Sequence, residues 1–322
     1  MSPPHATLSF LVWMAVASSC VDLPQIPARP VTDTAPVAPA DSPAGPAAPL
    51  RLGAWNLRKY GFEAQKDEAA IATIVKAHFD LIALLEVVAS PNERALSDLA
   101  ALLAPEFALA ATSAARPSPS SPHSEHYVIA YRAERIAPCA ELAALTYFSD
   151  GTGSDGSATR GLFLREPAFA CFRAVHTQAS GRGFDLLLAA YHAEWGEGDT
   201  RGIASEVRHV DSVFAAMQRA LPGEQALYMI GDFNLGAAEL APLTAARDRT
   251  VGTGSTLDAK GELSANLYDH LLALGAAANS ALVDEARVLD VRGEAFDPAH
   301  FRDRVSDHLP IVAQLRLSED HD

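Results

Sequence analysis

Basic residues are scarce in this chain of 322 residues: 25 Lys and Arg stand against 40 Asp and Glu, a formal net charge of −15 at pH 7. That balance argues against a protein that collects polyanions by loose electrostatic association, because a phosphate backbone is gripped chiefly by basic side chains. It leaves a nucleic-acid substrate open, since a local patch or bound cations reverse the sign of a cleft. Cysteine is scarce too, at three residues without a Cys-x-x-Cys spacing, which argues against a thiolate zinc site. Aromatics make up 7% of the chain, with no Trp/Phe cluster in a loop and Trp195, in HAEWGEG, as the one membrane-touching candidate. No internal repeat is visible.

The N-terminal apolar stretch LSFLVWMAVASS is too short to span a bilayer comfortably. Followed by Cys20, it reads as an export signal over residues 1–20. Ala17-Ser18-Ser19-Cys20 also resembles a bacterial lipobox, in which the cysteine becomes a lipid-bearing membrane tether. The preceding MSPPHAT lacks the Lys or Arg of a usual signal. Residues 21–50 are rich in Pro, Ala and small polar residues, a composition that buries no core and predicts an extended, mobile linker. Residues 51–322 suffice for one large α/β domain, expected to be monomeric and without a protein partner. Cys139 and Cys171 sit in apolar, strand-like stretches, where a disulfide and two buried thiols are both open readings.

Within 51–322 the pattern alternates. Strands are expected at 50–57, 80–88, 126–132, 166–175, 184–192, 226–233, 267–275 and 309–317, the 166–175 and 184–192 pair forming a hairpin. DLIALLEVV (80–88) is almost continuously apolar, as a strand covered on both faces should be. Helical spacing appears at 67–78, 93–104 and 201–220. The sum is an α/β fold, two layers of sheet with helices outside.

Several of these strands begin or end in residues suited to chemistry: Asn56, Glu86, His192, Asp232 with Asn234, Asp269 and Asp307-His308. One polar strand end is unremarkable. Many that converge on one rim describe a site. Carboxylates and amide oxygens are hard ligands suited to Mg²⁺, Mn²⁺ or Ca²⁺. Histidines held by carboxylates exchange protons near neutral pH, and Arg165 or Asn234 can steady a non-bridging phosphate oxygen. The pattern points to phosphoryl transfer. His123 and His126 are expected at the surface.

The ordered set WNL (55–57), LLEV (84–87), REP (165–167), His192, GDFN (231–234), YDH (268–270) and SDHLPI (306–311) resembles the endonuclease/exonuclease/phosphatase superfamily over essentially all of 51–318. Within it, SEHYVIAYR (124–132), Arg-Glu-Pro and Tyr-Asp are similar to the deoxyribonuclease I family. The resemblance implies a four-layer α/β/β/α sandwich of two mixed sheets flanked by helices. It implies Glu86 and Asn56 as metal ligands, and Asp232 and Asp307 as a second metal position or as groups orienting the attacking water. Asn234 and Arg165 would bind the substrate phosphate. His192 and His308 would form the acid–base pair, held by Glu125 and Asp269. Two departures bear on substrate: Val87 follows Glu86 where that family has a DNA-binding Arg, and His123 stands where it has a DNA-contacting Tyr. The expected function is an exported, divalent-metal-dependent nuclease, DNA being the favoured substrate. A phosphodiesterase or phosphatase of a lipid head group or small phosphoester is the alternative, and a non-catalytic binding module a more distant one. The segment 252–266 is placed to shape substrate contacts.

Overall fold

The structure is a computed structural model that describes residues 48–62, 66–113, 115–118, 121–149, 162–175, 184–195, 200–295 and 298–317. The chain separates into units at 1–44 and 45–322. The expected signal, Cys20 and almost all of the linker lie outside the described residues.

Eight strands carry the second unit: β1 (Leu50–Tyr60), β2 (Leu81–Val88), β3 (Ser121–Arg132), β4 (Ala168–Ala174), β5 (Asp185–His192), β6 (Leu227–Asp232), β7 (Asp269–Leu274) and β8 (Ile311–Leu315). The first sheet runs β8-β1-β2-β3 and the second β7-β6-β5-β4, each extended by short edge strands. Each sheet is built around a parallel pair, β1 with β2 and β5 with β6, flanked on both sides by antiparallel neighbours. The two halves therefore have matching layouts.

Alternation along each strand explains the layers. On β2, Leu81, Ala83 and Leu85 enter the core between the sheets, while Ile82 and Leu84 face the helical layer. On β5, Leu186, Leu188 and Ala190 face inward and Leu187, Ala189 and Tyr191 outward. Both faces are covered, so these strands are apolar at nearly every position. Helices α1 (Glu68–His78) and α2 (Arg94–Leu103) cover the first sheet, and α3 (Thr200–Val207) and α4 (Val210–Ala220) the second. The result is the expected α/β/β/α sandwich.

Two details differ from the sequence expectation. The helix expected over 201–220 is two helices with a turn at 208–209. Ile203, Val207, Val210, Val213 and Met217 all enter one core cluster, so the apolar spacing reads straight through the break. His126, expected at the surface, is buried between the Thr112 carbonyl and the Glu93 carboxylate, at 3.0 Å from each. Cys139 and Cys171 are joined as a disulfide between the start of a short helical turn and β4.

Candidate active site

The topology places the C-terminal ends of both parallel pairs at one rim. Asn56 and Glu86 arrive on β1 and β2, and His192 and Asp232 on β5 and β6. The antiparallel neighbours bring Glu125 on β3, Asp269 at the start of β7 and His308 just ahead of β8 to the same place. All the expected site residues except Asn56 and Asp269 line one open cavity of about 470 Å³. Asn56 and Asp269 stand directly behind it, bonded to residues that do.

Local backbone features aim these side chains. The β1–β2 register slips between Asn56 and Tyr60, and the β2–β3 register between Leu84 and Val87. Such irregularities re-aim a side chain at a sheet rim. Glu86 sits at the second with φ of 55°, a left-handed conformation that a non-glycine residue holds only when its surroundings impose it. Asn234 is also left-handed, at 51°, and its backbone N–H donates to Asp232 Oδ1 at 3.0 Å, closing a tight polar turn. Gly231 has φ of 147°, and a Cβ there would lie 1.9 Å from the Tyr191 carbonyl oxygen. Only glycine lets β6 pass β5 at that distance just before Asp232.

Two histidines face each other across the seam. His192 Nδ1 is 3.0 Å from Glu125 Oε2, and His308 Nδ1 is 2.8 Å from Asp269 Oδ2. Their Nε2 atoms both approach Asp232 Oδ2, at 3.9 and 3.6 Å. Burial opposes the His308 imidazolium, but Asp269 and Asp232 outweigh it and hold its pKa well above the usual value. Burial and the Arg165 charge likewise push His192 down, and Glu125 and Asp232 bring it above normal. Burial alone would raise Glu125, yet His192 and Arg165 pull it down to about 2. Asp232 is raised, by burial first and by the Asp269 charge, against the opposing pull of His308.

The acidic side of the site centres on Asn56. Its Nδ2 donates to Glu86 Oε1 at 3.0 Å and to Asp232 Oδ2 at 3.1 Å, and Glu86 Oε2 accepts the Lys59 N–H at 2.9 Å. Asp307 lines the cavity with Arg58 Nε 3.7 Å away. Glu86, Asp232 and Asp307 offer the cavity carboxylate oxygens, the ligand type that suits a divalent cation such as Mg²⁺ or Ca²⁺, while Asn56 Oδ1 accepts the Arg58 N–H at 2.9 Å. Asp232, Asp269 and His308 also present ligand atoms within 4.8 Å of one another. Asp269 and His308 are, however, already engaged: Asp269 Oδ2 accepts both the His308 ring and the Ser255 hydroxyl, the latter at 2.6 Å.

Arg165 reaches the cavity wall from within a cluster of carboxylates. It is buried, with Nη1 donating to Glu125 Oε2 at 2.9 Å and also against His192 Nδ1, and Nη2 donating to Glu194 Oε2 at 3.1 Å. It lines the cavity, with Nη1 and Nη2 engaged by Glu125, His192 and Glu194 and Nε without a partner among the described residues. Asn234 Nδ2 donates to the Ala193 carbonyl at 2.8 Å at the cavity wall.

Several supporting residues carry no sequence signal of their role. Trp55 Nε1 donates to the His308 carbonyl at 2.9 Å, the Ser306 hydroxyl to the Asn56 carbonyl at 2.6 Å, and the His192 N–H to the Tyr127 hydroxyl at 3.1 Å. Glu206 on α3 accepts the Leu164 and Glu194 N–H groups, fixing both sides of Arg165. His270 is buried with Nδ1 2.8 Å from Asp248 Oδ2 and Nε2 2.8 and 3.0 Å from the Leu235 and Leu267 carbonyls. Both ring nitrogens face acceptors, so it stands as an imidazolium clasping the chain just after GDFN and just before Tyr268. Histidine in the YDH motif was visible; its partners, distant in sequence, were not. In the segment 252–266, Thr256, Leu257 and Asn266 line the cavity, and the Leu257 N–H donates to the Asp307 carbonyl at 2.7 Å.

Two mixed sheets flanked by helices, with the site at the seam, define the fold of the endonuclease/exonuclease/phosphatase proteins. Among solved structures the chain is similar to the endonuclease/exonuclease/phosphatase from Bacteroides vulgatus, with a TM-score of 0.56 at 15% identity over 84% of this chain and 100% of that one. It is similar also to D. rerio TDP2 complexed with single strand DNA product, with a TM-score of 0.54 at 16% identity over 83% and 99%. In sequence, a protein of Thioalkalivibrio sp. (strain K90mix) named Deoxyribonuclease is 29% identical over 299 residues, 87% of this chain and 74% of that protein. No protein-family model matches the chain.

Proposed function

We propose that this chain is an exported, divalent-metal-dependent phosphodiester hydrolase whose substrate is DNA. The observation that carries the reading is the pair of histidines, each pinned at Nδ1 by a buried carboxylate and each directing Nε2 toward Asp232 in one cavity. Pinning one nitrogen leaves the other free to exchange a proton, so one imidazole takes the proton of an attacking water and the other gives one to the leaving oxygen. Asn234 steadies a non-bridging oxygen from the cavity wall, and Arg165 acts by fixing Glu125 and His192. Asn56, Glu86, Asp232 and Asp307 would hold the cation, which supplies polarisation of the phosphate and offsets charge in the transition state. The deoxyribonuclease-named relative supports DNA as the substrate.

Export rests on the N-terminal pattern, with residues 1–20 as the lipoprotein signal, cut before its Cys20, which stays as the lipid attachment point, and 21–50 as the spacer. The Cys139–Cys171 disulfide fits an oxidising compartment. Intact mass of the protein recovered from its host checks this: cleavage before Cys20 with an added diacylglyceryl mass is expected, and a protein retaining Met1 in the cytoplasm would contradict it.

Supercoiled plasmid incubated with Mg²⁺, Mn²⁺ or Ca²⁺, or with chelator, tests the activity. Nicking that needs metal and disappears in His308→Ala is expected. Intact plasmid alongside cleaved bis(p-nitrophenyl) phosphate would favour a smaller phosphoester, a reading that the acidic balance of the chain supports. No turnover of either would contradict the hydrolase reading.

A further inference from the structure

Trp195 has no task in the chemistry above. It is 44% exposed, lies three residues past His192, and lines the catalytic cavity beside Tyr268, with ring centroids 6.0 Å apart and planes tilted by 51°. An aromatic this exposed at the mouth of the cavity leaves part of its apolar surface open to water. At the rim of the other sheet a second pair stands: Phe62, 57% exposed, lies against His123 with ring centroids 3.9 Å apart. The seam that carries Glu86 and Asp232 runs between the sheets that bear the two pairs.

Charge makes these aromatic faces matter. Four acidic side chains, Glu86, Glu125, Asp232 and Asp307, line the cavity, against Lys59 as an exposed cation, an Arg165 tied to Glu125 and Glu194, and two imidazoles paired with Glu125 and Asp269. A divalent cation on Glu86 and Asp232 would reverse that sign at the scissile phosphate only, which leaves the wall few charges with which to hold a longer run of phosphates. Binding of a nucleic acid must draw on contacts that carry no charge, and stacking of bases on aromatic rings is the strongest of these. A base offers its face only when it has left its neighbours in the helix.

We infer that Trp195, backed by Tyr268, is the platform on which an unpaired nucleobase next to the scissile phosphate stacks, so that single-stranded or frayed nucleic acid, including the stretches a negatively supercoiled plasmid opens, is cut in preference to relaxed duplex. This rests on the hydrolase reading above. Stacking against Trp195 then provides much of the ground-state affinity, while the histidines and carboxylates act on the phosphate. Salt weakens binding less than it would for a protein gripping many phosphates.

The test uses the full chain, a single-stranded deoxyoligonucleotide, its duplex, and the same strand with tetrahydrofuran abasic spacers flanking the scissile phosphate. The wild type should cleave the strand faster than the duplex. Trp195→Ala should raise KM on the normal strand about tenfold, and Trp195→Phe about threefold or less, with kcat little changed. On the abasic strand the wild type should already show that loss, and Trp195→Ala should add nothing further. Equal effects on normal and abasic strands, or none, would overturn the inference while leaving the hydrolase intact. So would lost binding to phosphatidylcholine vesicles in Trp195→Ala with an unchanged oligonucleotide KM, which would assign this residue to a lipid surface. A wild type that cleaves neither strand but hydrolyses bis(p-nitrophenyl) phosphate would overturn the nucleic-acid assignment alone; one that cleaves none of these would overturn the hydrolase reading with it.

Discussion

His192 and His308 differ from ordinary buried histidines in having both a fixed and a free nitrogen. Asp269→Asn tests this division of labour. The substitution keeps the shape but removes the charge that fixes the His308 tautomer, and kcat should fall by roughly 10²–10⁴ with little change in melting temperature. Arg165 belongs to a different category. Because it joins Glu125 and Glu194 in a buried cluster, Arg165→Ala strands two carboxylates and should cost about 3–5 kcal/mol in urea denaturation. A simple phosphate clamp would instead leave stability intact and raise KM. Most of the residues that meet at the rim were legible in the sequence because strand ends such as Glu86 and Asp232 pair poorly with the apolar runs before them. The role of Arg165 was not, since Glu125 and Glu194 lie 40 and 29 residues from it in the chain. The partners of His270, Asp248 and the Leu235 carbonyl, are hidden in the sequence for the same reason.

Elements were the most legible level. Strands buried on both faces announce themselves as continuous apolar runs, and the positions of β2, β5 and β6 follow from that alone. What the sequence concealed were the backbone devices that aim side chains: the register shifts after Asn56 and Leu84 and the left-handed Glu86. These depend on which strand pairs with which, information that no local window holds. Gly231 is the exception, a turn-forming residue in plain view whose reason is the Tyr191 carbonyl across the β5–β6 pair. Gly231→Ala should therefore destabilise by at least about 3 kcal/mol, read from the urea midpoint, because a Cβ meets rigid backbone in a conformation that L residues rarely adopt. A value within 0.5 kcal/mol, the range of ordinary surface changes, would contradict the close approach.

At the scale of the whole molecule, stability and function sit at opposite ends of the first sheet. Asp80, just before β2, is buried and bonded to Arg51, and pairs with Arg132 at 3.3 Å and Arg135 at 2.7 Å. Burial alone would raise its carboxyl, but Arg51 and Arg135 hold it below the usual range. A depressed folded-state pKa contributes stability that is present above the unfolded value, near 4, and is lost as pH falls through the folded one. The melting temperature of the wild type should therefore drop more steeply below about pH 4 than that of Asp80→Asn, and Asp80→Asn should be less stable by about 2–4 kcal/mol at pH 7. Each sheet contributes one histidine and the carboxylate that pins the other sheet's histidine, so neither half is a site alone.

That joint site is the central claim, and the most direct measurement is kcat on a phosphodiester for His192→Ala, His308→Ala and the double variant. If the two imidazoles act as one acid–base unit, each single substitution should cost roughly 10³-fold or more and the double little beyond the worse single. Additive losses of less than about tenfold each would mean that the histidines do not share the proton transfers, and would contradict the account.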